Sequence, residues 1–284
     1  MRKAVRNRRA LLARRRKRRI EGVLGKTARR FGKAERGRVL AAFDKLPASR
    51  FPKTRTRAAG PEVRLTDAIF HQGAEAEAAR DAFLADTTRA VSVGIDDALS
   101  MLGSDAAFNV HDPRVTAWLR DEKGTAYWRN GPNATTVRDL HRSLATGLAE
   151  GETREYLRLR IIEAFHPLTG GVGIPAWRAD LIARVEAGSA YEFGGHVTGE
   201  ELSTGGVRIE KYWQDTGDGL TRDSHKAAGR RNGWIANSRR FRLGADEHLG
   251  PATLLYPADP GVSGDVGHIM DCRCTALRRE GKRR

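Results

Sequence analysis

The chain has 284 residues, 39% of them hydrophobic and 30% charged, with a formal net charge of +16. That apolar content supports one large domain or two modest ones. It includes no run of about 18 apolar residues, so no membrane-spanning helix is expected, and the basic N-terminus lacks the apolar segment of a secretory signal. The two cysteines cannot build a disulfide framework. A Cys272–Cys274 bridge would close a tiny, strained loop, so reduced or metal-bound thiols are expected.

The charge is concentrated at one end. Residues 1–30 hold 14 Lys or Arg against Glu21 alone, and residues 31–60 add a net +6, which leaves the other 224 residues at −3. Residues 1–60 therefore read as a basic arm and linker, partly disordered or helical, joined to a near-neutral body. Arg14, Arg15, Arg16, Lys17, Arg18 and Arg19 form a block of like charges that repels itself and calls for a polyanion. These six are the candidate DNA-binding residues, in a sequence-independent, salt-sensitive mode. With no aromatic before Phe31, base stacking is not expected. Ala10, Leu11, Leu12, Ile20, Val23 and Leu24 would give such a helix an apolar stripe. A solvated solubilising tail and a membrane-surface arm stay open as alternatives. Deleting residues 1–30 is expected to remove most nucleic-acid affinity.

Pro47, Pro52, Gly60 and Pro61 mark a linker. Residues 61–192 read as a helical domain. Val63 to about Leu102 predicts one long helix or two, with a break at Gly73 and a stop at Gly103. Asp112-Pro113 opens another helix, which Gly131-Pro132-Asn133 breaks. Val137, Leu140, Leu144 and Leu148 predict an amphipathic helix capped by Thr135 or Thr136. A helix from Thr153 is expected to turn Tyr156, Leu159, Ile162 and Phe165 inward. Gly170-Gly171 ends it, and Pro175 starts a last one, with Trp177, Leu181, Ile182 and Val185 facing the core as far as Gly188.

After Gly195 turn residues become dense, and residues 193–280 read as a small α+β module. Val207–Trp213 alternates as a strand. Thr221–Ala227 is a turn into a short helix. Trp234-Ile235, Phe241–Leu243, Thr253–Tyr256 and Asp271–Leu277 are further short strands. Gly194-Gly195 and Gly205-Gly206 read as turns. The fold class is α+β, with a helical N-terminal two-thirds and a loop-rich C-terminal unit.

On an extended backbone, residues i and i+2 share a face. Cys272 and Cys274 would then present both sulfurs together, with Arg273 turned away. His225, His268, Cys272 and Cys274 make a candidate set of four metal ligands, and zinc is the ion such a set would take. C-x-C is not a usual zinc knuckle, so half-buried thiols beside satisfied histidines, or a catalytic thiol, stay open. His225 beside Asp223, and His248 near Asp246 and Glu247, could be drawn as a metal-dependent nuclease; the alternative reading is a metal-dependent nuclease or DNA-processing enzyme using His225 and the Cys272/Cys274 end. No H-E-x-x-H, phosphate-binding loop or nucleophile elbow accompanies them.

Three elements occur in a specific order: Arg222-Asp223-Ser224-His225, Tyr256-Pro257-Ala258-Asp259-Pro260 and Asp271-Cys272-Arg273-Cys274. Upstream stand Gly147-Leu148-Ala149-Glu150-Gly151-Glu152-Thr153 and Arg178-Ala179-Asp180-Leu181-Ile182-Ala183-Arg184-Val185-Glu186. This order resembles the Mu protein F-like minor head proteins of tailed bacteriophages, also called phage head morphogenesis proteins, over roughly residues 110–277. Ala258 stands where that family usually has Gly, Asp271 where it has Asn, and Val185 where it has Thr. The Ala258 exchange weakens the requirement for a left-handed turn there. The resemblance implies a non-enzymatic minor capsid component, made in the host cytoplasm and carried in the head interior of the virion. Its partners would be portal or capsid proteins and, through the basic arm, double-stranded DNA, with no membrane and no certain cofactor.

Overall fold

The computed structural model describes residues 3–51, 65–106, 108, 110–166 and 177–281. The expected turn residues Pro52, Gly60, Pro61, Gly170, Gly171 and Pro175 lie outside them. The N-terminal two-thirds is helical and is followed by short antiparallel strands in two small sheets. No helix among the described residues is long and apolar enough to cross a membrane.

The basic segment is a 42-residue helix, α1 (Lys3–Asp44). It contains no proline and is rich in Arg, Lys, Ala and Leu, all strong helix formers. Its buried positions Ala10, Ala13, Lys17, Ile20 and Leu24 recur every three or four residues, one face of a helix. Leu11, Leu12 and Val23, expected on the apolar stripe, are exposed instead.

The chain forms two compact units from interleaved segments: residues 1–24, 84–122 and 183–284 in one, residues 25–83 and 123–182 in the other. The described residues of the second unit form helices and no strand. It holds the rest of α1, α2 (Leu65–Ile69), the start of α3 (Gln72–Leu102), α5 (Thr125–Asn130), α6 (Pro132–Ala149) and α7 (Arg154–Ala164). The break before α3 falls at Phe70-His71 rather than at Gly73. Val39, Phe43, Phe51, Ile69, Leu140, Leu144, Leu157, Ile161 and Phe165 fill its core. On α7 the inward face is therefore Leu157, Ile161 and Phe165, whereas Tyr156 and Leu159 are exposed, one position out of phase with expectation. Helix α6 starts at Pro132 rather than after Thr135, because proline suits the first helical position, where its missing N–H costs nothing.

The first unit contains α4 (Pro113–Asp121), whose N-cap Asp112 accepts from the Arg114 N–H, and most of α8 (Trp177–Thr204). Helix α8 does not stop at Gly188 but runs through Gly188, Gly194 and Gly195. A Cβ on Gly94 of α3 would collide with the Tyr191 carbonyl, and one on Gly194 with the Val91 carbonyl. The glycines thus let two helix backbones touch, and helix contact offsets their poor propensity. Here also lie β1 (Ile209–Gln214), α9 (Asp223–Asn232), β2 (Trp234–Ala236), β3 (Phe241–Leu243), β4 (Ala252–Leu254), β5 (Ser263–Gly264) and β6 (Thr275–Glu280). One sheet has the order β2-β1-β6 and the other β3-β4-β5, both antiparallel, with Lys211 opposite Ile235 and Arg278. Helix α9 lies against β1 and β3.

Candidate metal centre

Trp213, Ala228, Phe241, Leu254, Ala258, Cys272, Cys274 and Ala276 form one apolar cluster in the first unit. Three elements feed the polar site inside it. Helix α9 places His225 on its buried face one turn from Ala228 and Gly229; a Cβ on Gly229 would meet the Trp213 carbonyl, so glycine lets α9 lie close on β1. The short 3-10 turn Val266–His268, capped by Asp265, brings in His268. The segment before β6 brings in Cys272 and Cys274. The cysteines thus precede the strand rather than sit in it, since β6 begins at Thr275. Their sulfurs nevertheless face the same way, and Arg273 turns aside to pair with Asp218 at 3.0 Å.

His225 Nδ1 lies 3.8 Å from Cys272 Sγ and 3.5 Å from Cys274 Sγ. Its other nitrogen, Nε2, faces His268 Nδ1 at 3.2 Å, with the two rings stacked. His268 Nε2 meets the Gly250 carbonyl at 2.8 Å. A carbonyl only accepts, so the proton is on His268 Nε2 and its Nδ1 accepts from His225 Nε2–H. His225 Nδ1 therefore carries a free lone pair aimed at the two sulfurs. The structure brings together three of the four expected ligands, His225, Cys272 and Cys274. His268 stands behind His225 and does not face the sulfurs.

All four side chains are buried. The Cys272 thiol is held well below the ordinary thiol range, chiefly because the Cys274 thiol donates to it. The same hydrogen bond, with burial, pushes Cys274 up. The first proton leaves this pair easily and the second does not.

The chain matches no family model, no curated protein and no solved structure.

The basic block is divided by the fold. Lys17 is buried and donates to the Cys274 carbonyl at 2.8 Å, with Glu192 at 3.4 Å. Glu192 in turn accepts from the Ala276 N–H at 3.0 Å. Arg16 pairs with Asp97, which also accepts from the Tyr191 hydroxyl. Arg14 donates to the Thr216 carbonyl. Arg15, Arg18 and Arg19 are exposed. Lys17 is thus internal, Arg14 and Arg16 are tied down but partly exposed, and the other three face solvent.

Two buried cations escape a reading by residue type. Lys211 is fully buried, donates to the carbonyls of Asn237 at 2.6 Å and Leu255 at 2.5 Å, and is pushed down by burial to about 7. Arg278, opposite it, donates to the Ala276 carbonyl at 3.1 Å. The available clue was phase: Lys211 shares a strand face with Ile209 and Trp213, as Lys17 shares a helix face with Ala13 and Ile20.

Ala258 has φ 61° and Asp271 φ 57°. The expectation that alanine at 258 relaxes the left-handed turn is therefore corrected: the turn is made, with alanine in it. Asp259 holds it by accepting from the N–H groups of Leu255 at 2.8 Å and Gly261 at 2.9 Å. Asp271 at its own left-handed position pairs with Arg184 of α8.

Proposed function

We propose that this chain is a non-enzymatic minor head protein of a tailed bacteriophage, of the Mu protein F-like kind. In this reading it is made in the host cytoplasm, docks on portal or capsid protein inside the head, and touches packaged double-stranded DNA without sequence preference. One observation carries the reading. The three elements on which the resemblance rests, though far apart in sequence, interlock in one small core: Arg222 donates to the Met270 carbonyl at 2.8 Å, His225 faces Cys272 and Cys274, and Ala258 lies in the same apolar cluster. The two exchanged residues, Ala258 and Asp271, stand at left-handed positions, where the family's usual Gly and Asn are the favoured residues. The alternative, a metal-dependent nuclease, is weakened by burial, because no phosphodiester reaches side chains that are 2% exposed or less.

DNA contact falls to the exposed arginines of α1. The triple variant Arg15→Ala/Arg18→Ala/Arg19→Ala is expected to bind duplex DNA at least about tenfold more weakly. Its logarithmic salt slope should be shallower by roughly 0.9 for each phosphate that is no longer neutralised. Fluorescence anisotropy across a salt series measures both, with circular dichroism confirming the fold. Unchanged affinity and slope would remove α1 as the DNA-binding element. Failure to co-purify with portal protein or procapsids would count against the head assignment.

A further inference from the structure

We propose that His225, Cys272 and Cys274 bind one zinc ion in the full-length protein, as a buried staple of the strand-bearing unit, with His268 as a positioning residue rather than a ligand. The inference is independent of the particle role above.

The separations are those a zinc ion requires. Bonds of about 2.3 Å to sulfur and 2.0–2.1 Å to nitrogen at tetrahedral angles put neighbouring ligand atoms about 3.6 Å apart. His225 Nδ1 stands 3.8 and 3.5 Å from the two sulfurs, and all three ligand atoms lie within 4.8 Å of one another.

The chemistry also points to a metal. The chain Gly250 carbonyl, His268, His225 fixes the tautomer that leaves Nδ1 bare toward the sulfurs. Metal-bound histidines characteristically donate their other N–H in this way, which orients the ring and raises its basicity. Without an ion, a hydrogen bond between the two thiols and one to the imidazole nitrogen stand where the metal bonds would be. With it, both thiols release their protons to solvent, and two thiolates balance the dication. The nearby Lys17 cation is spoken for by Glu192 and the Cys274 carbonyl.

The site also lies where a staple is needed. The strands around it are three residues or fewer except β1 and β6. The segment carrying both cysteines enters β6 from an irregular turn, and α9 meets it through His225 and through the hydrogen bond from its N-cap Arg222 to the Met270 carbonyl. Small loop-rich units of this kind gain most from a metal cross-link. The chain supplies three ligands, His225, Cys272 and Cys274.

Full-length protein, expressed without a metal-binding tag and dialysed against metal-free buffer, is measured by elemental analysis. Near-stoichiometric zinc is expected, released by a thiol-blocking mercurial and lost in Cys272→Ser/Cys274→Ser. Cobalt(II) added to stripped wild-type protein is expected to give the charge-transfer and ligand-field bands of a tetrahedral site with two thiolates. His268→Gln should keep the stoichiometry and the two-thiolate spectrum while weakening affinity about 10- to 100-fold. The wild-type measurements decide the matter even where a cysteine variant fails to fold. Wild-type protein with no zinc, no tetrahedral cobalt spectrum and two freely titrating thiols would overturn the proposal, as would a Cys272–Cys274 disulfide. Loss of stoichiometry in a folded His268→Gln protein would overturn the positioning role.

Discussion

At the scale of single residues, side-chain identity and location disagree at informative places. Ala258 is a buried L-residue held at φ 61°, a conformation that costs a non-glycine residue roughly 1–2 kcal/mol. Ala258→Gly is therefore expected to be neutral or stabilising in urea denaturation, even though it deletes a buried methyl worth about 0.8 kcal/mol. The equally buried Ala228→Gly, in the middle of α9, is expected to cost at least about 1 kcal/mol. A loss at 258 as large as at 228 would mean the left-handed turn is not strained. Glu35 is a second case. It is buried among Phe31, Phe83, Trp128 and Arg178 of the helical unit, with Oε1 unpartnered. Burial first, then Glu75, raises it from 4.5 to about 8, against the opposing Arg178 and Arg38. The folded chain thus keeps a proton that the unfolded chain releases, so stability falls as pH rises between 4.5 and 8. The contribution is full below that window and gone above it. Glu35→Gln is expected to flatten this slope and to exceed wild type at pH 8 by about 1 kcal/mol or more, since an ionised carboxylate no longer has to be buried. Parallel slopes for the two proteins would refute the assignment.

At the scale of elements, the α3–α8 contact depends on atoms that are absent. Gly94→Ala or Gly194→Ala would drive a methyl into a carbonyl of the facing helix, and each is expected to cost about 3 kcal/mol or more, the upper range for overpacking. Gly37→Ala, on an open face of α1 with nothing within 4 Å, is the control, expected to gain about 1 kcal/mol from helix propensity. Thermal midpoints of the three variants give the comparison. Most element types are legible from periodicity and turn residues, including β1, α9, β2, β3 and α4 behind its Asp112 cap. The ends of α8 are not, because a glycine that stops an isolated helix and a glycine that admits a neighbouring backbone are the same letter. The phase of α7 is hidden for a similar reason: Tyr156 and Leu159 are large and apolar, but among the described residues they stay half exposed, whereas Leu157, Ile161 and Phe165 join the Leu140 and Leu144 face.

At the scale of the whole molecule, α1 is not a detachable arm. Residues 1–24 belong to the same compact unit as the strands. They contribute Ala10, Ala13, Ile20 and Leu24 to buried surface and Lys17 to the polar contacts behind the cysteines. Deleting residues 1–24 is therefore expected to leave residues 183–281 protease-sensitive and to abolish their cooperative unfolding, measured by limited proteolysis and near-ultraviolet circular dichroism. A truncated protein with undiminished protease resistance would show that the helix is dispensable to that unit. For this reason charge removal at Arg15, Arg18 and Arg19 tests DNA binding, and truncation does not.

Local physics, legible in the order of the residues, controls a helical body, a strand-bearing end, a basic leading segment, and three of the side chains that meet in the candidate metal centre. Spacing of apolar residues and of Cys272 and Cys274 sets these without reference to distant parts of the chain. Long-range packing settles which cations are exposed, which glycines sit inside helices, and that His268 backs His225 instead of joining it. Each of these depends on partners dozens to hundreds of residues away. Burial turns Lys17 and Lys211 into internal donors because, out of water, a charged group must find carbonyls or a carboxylate, and sequence spacing says nothing of where those are.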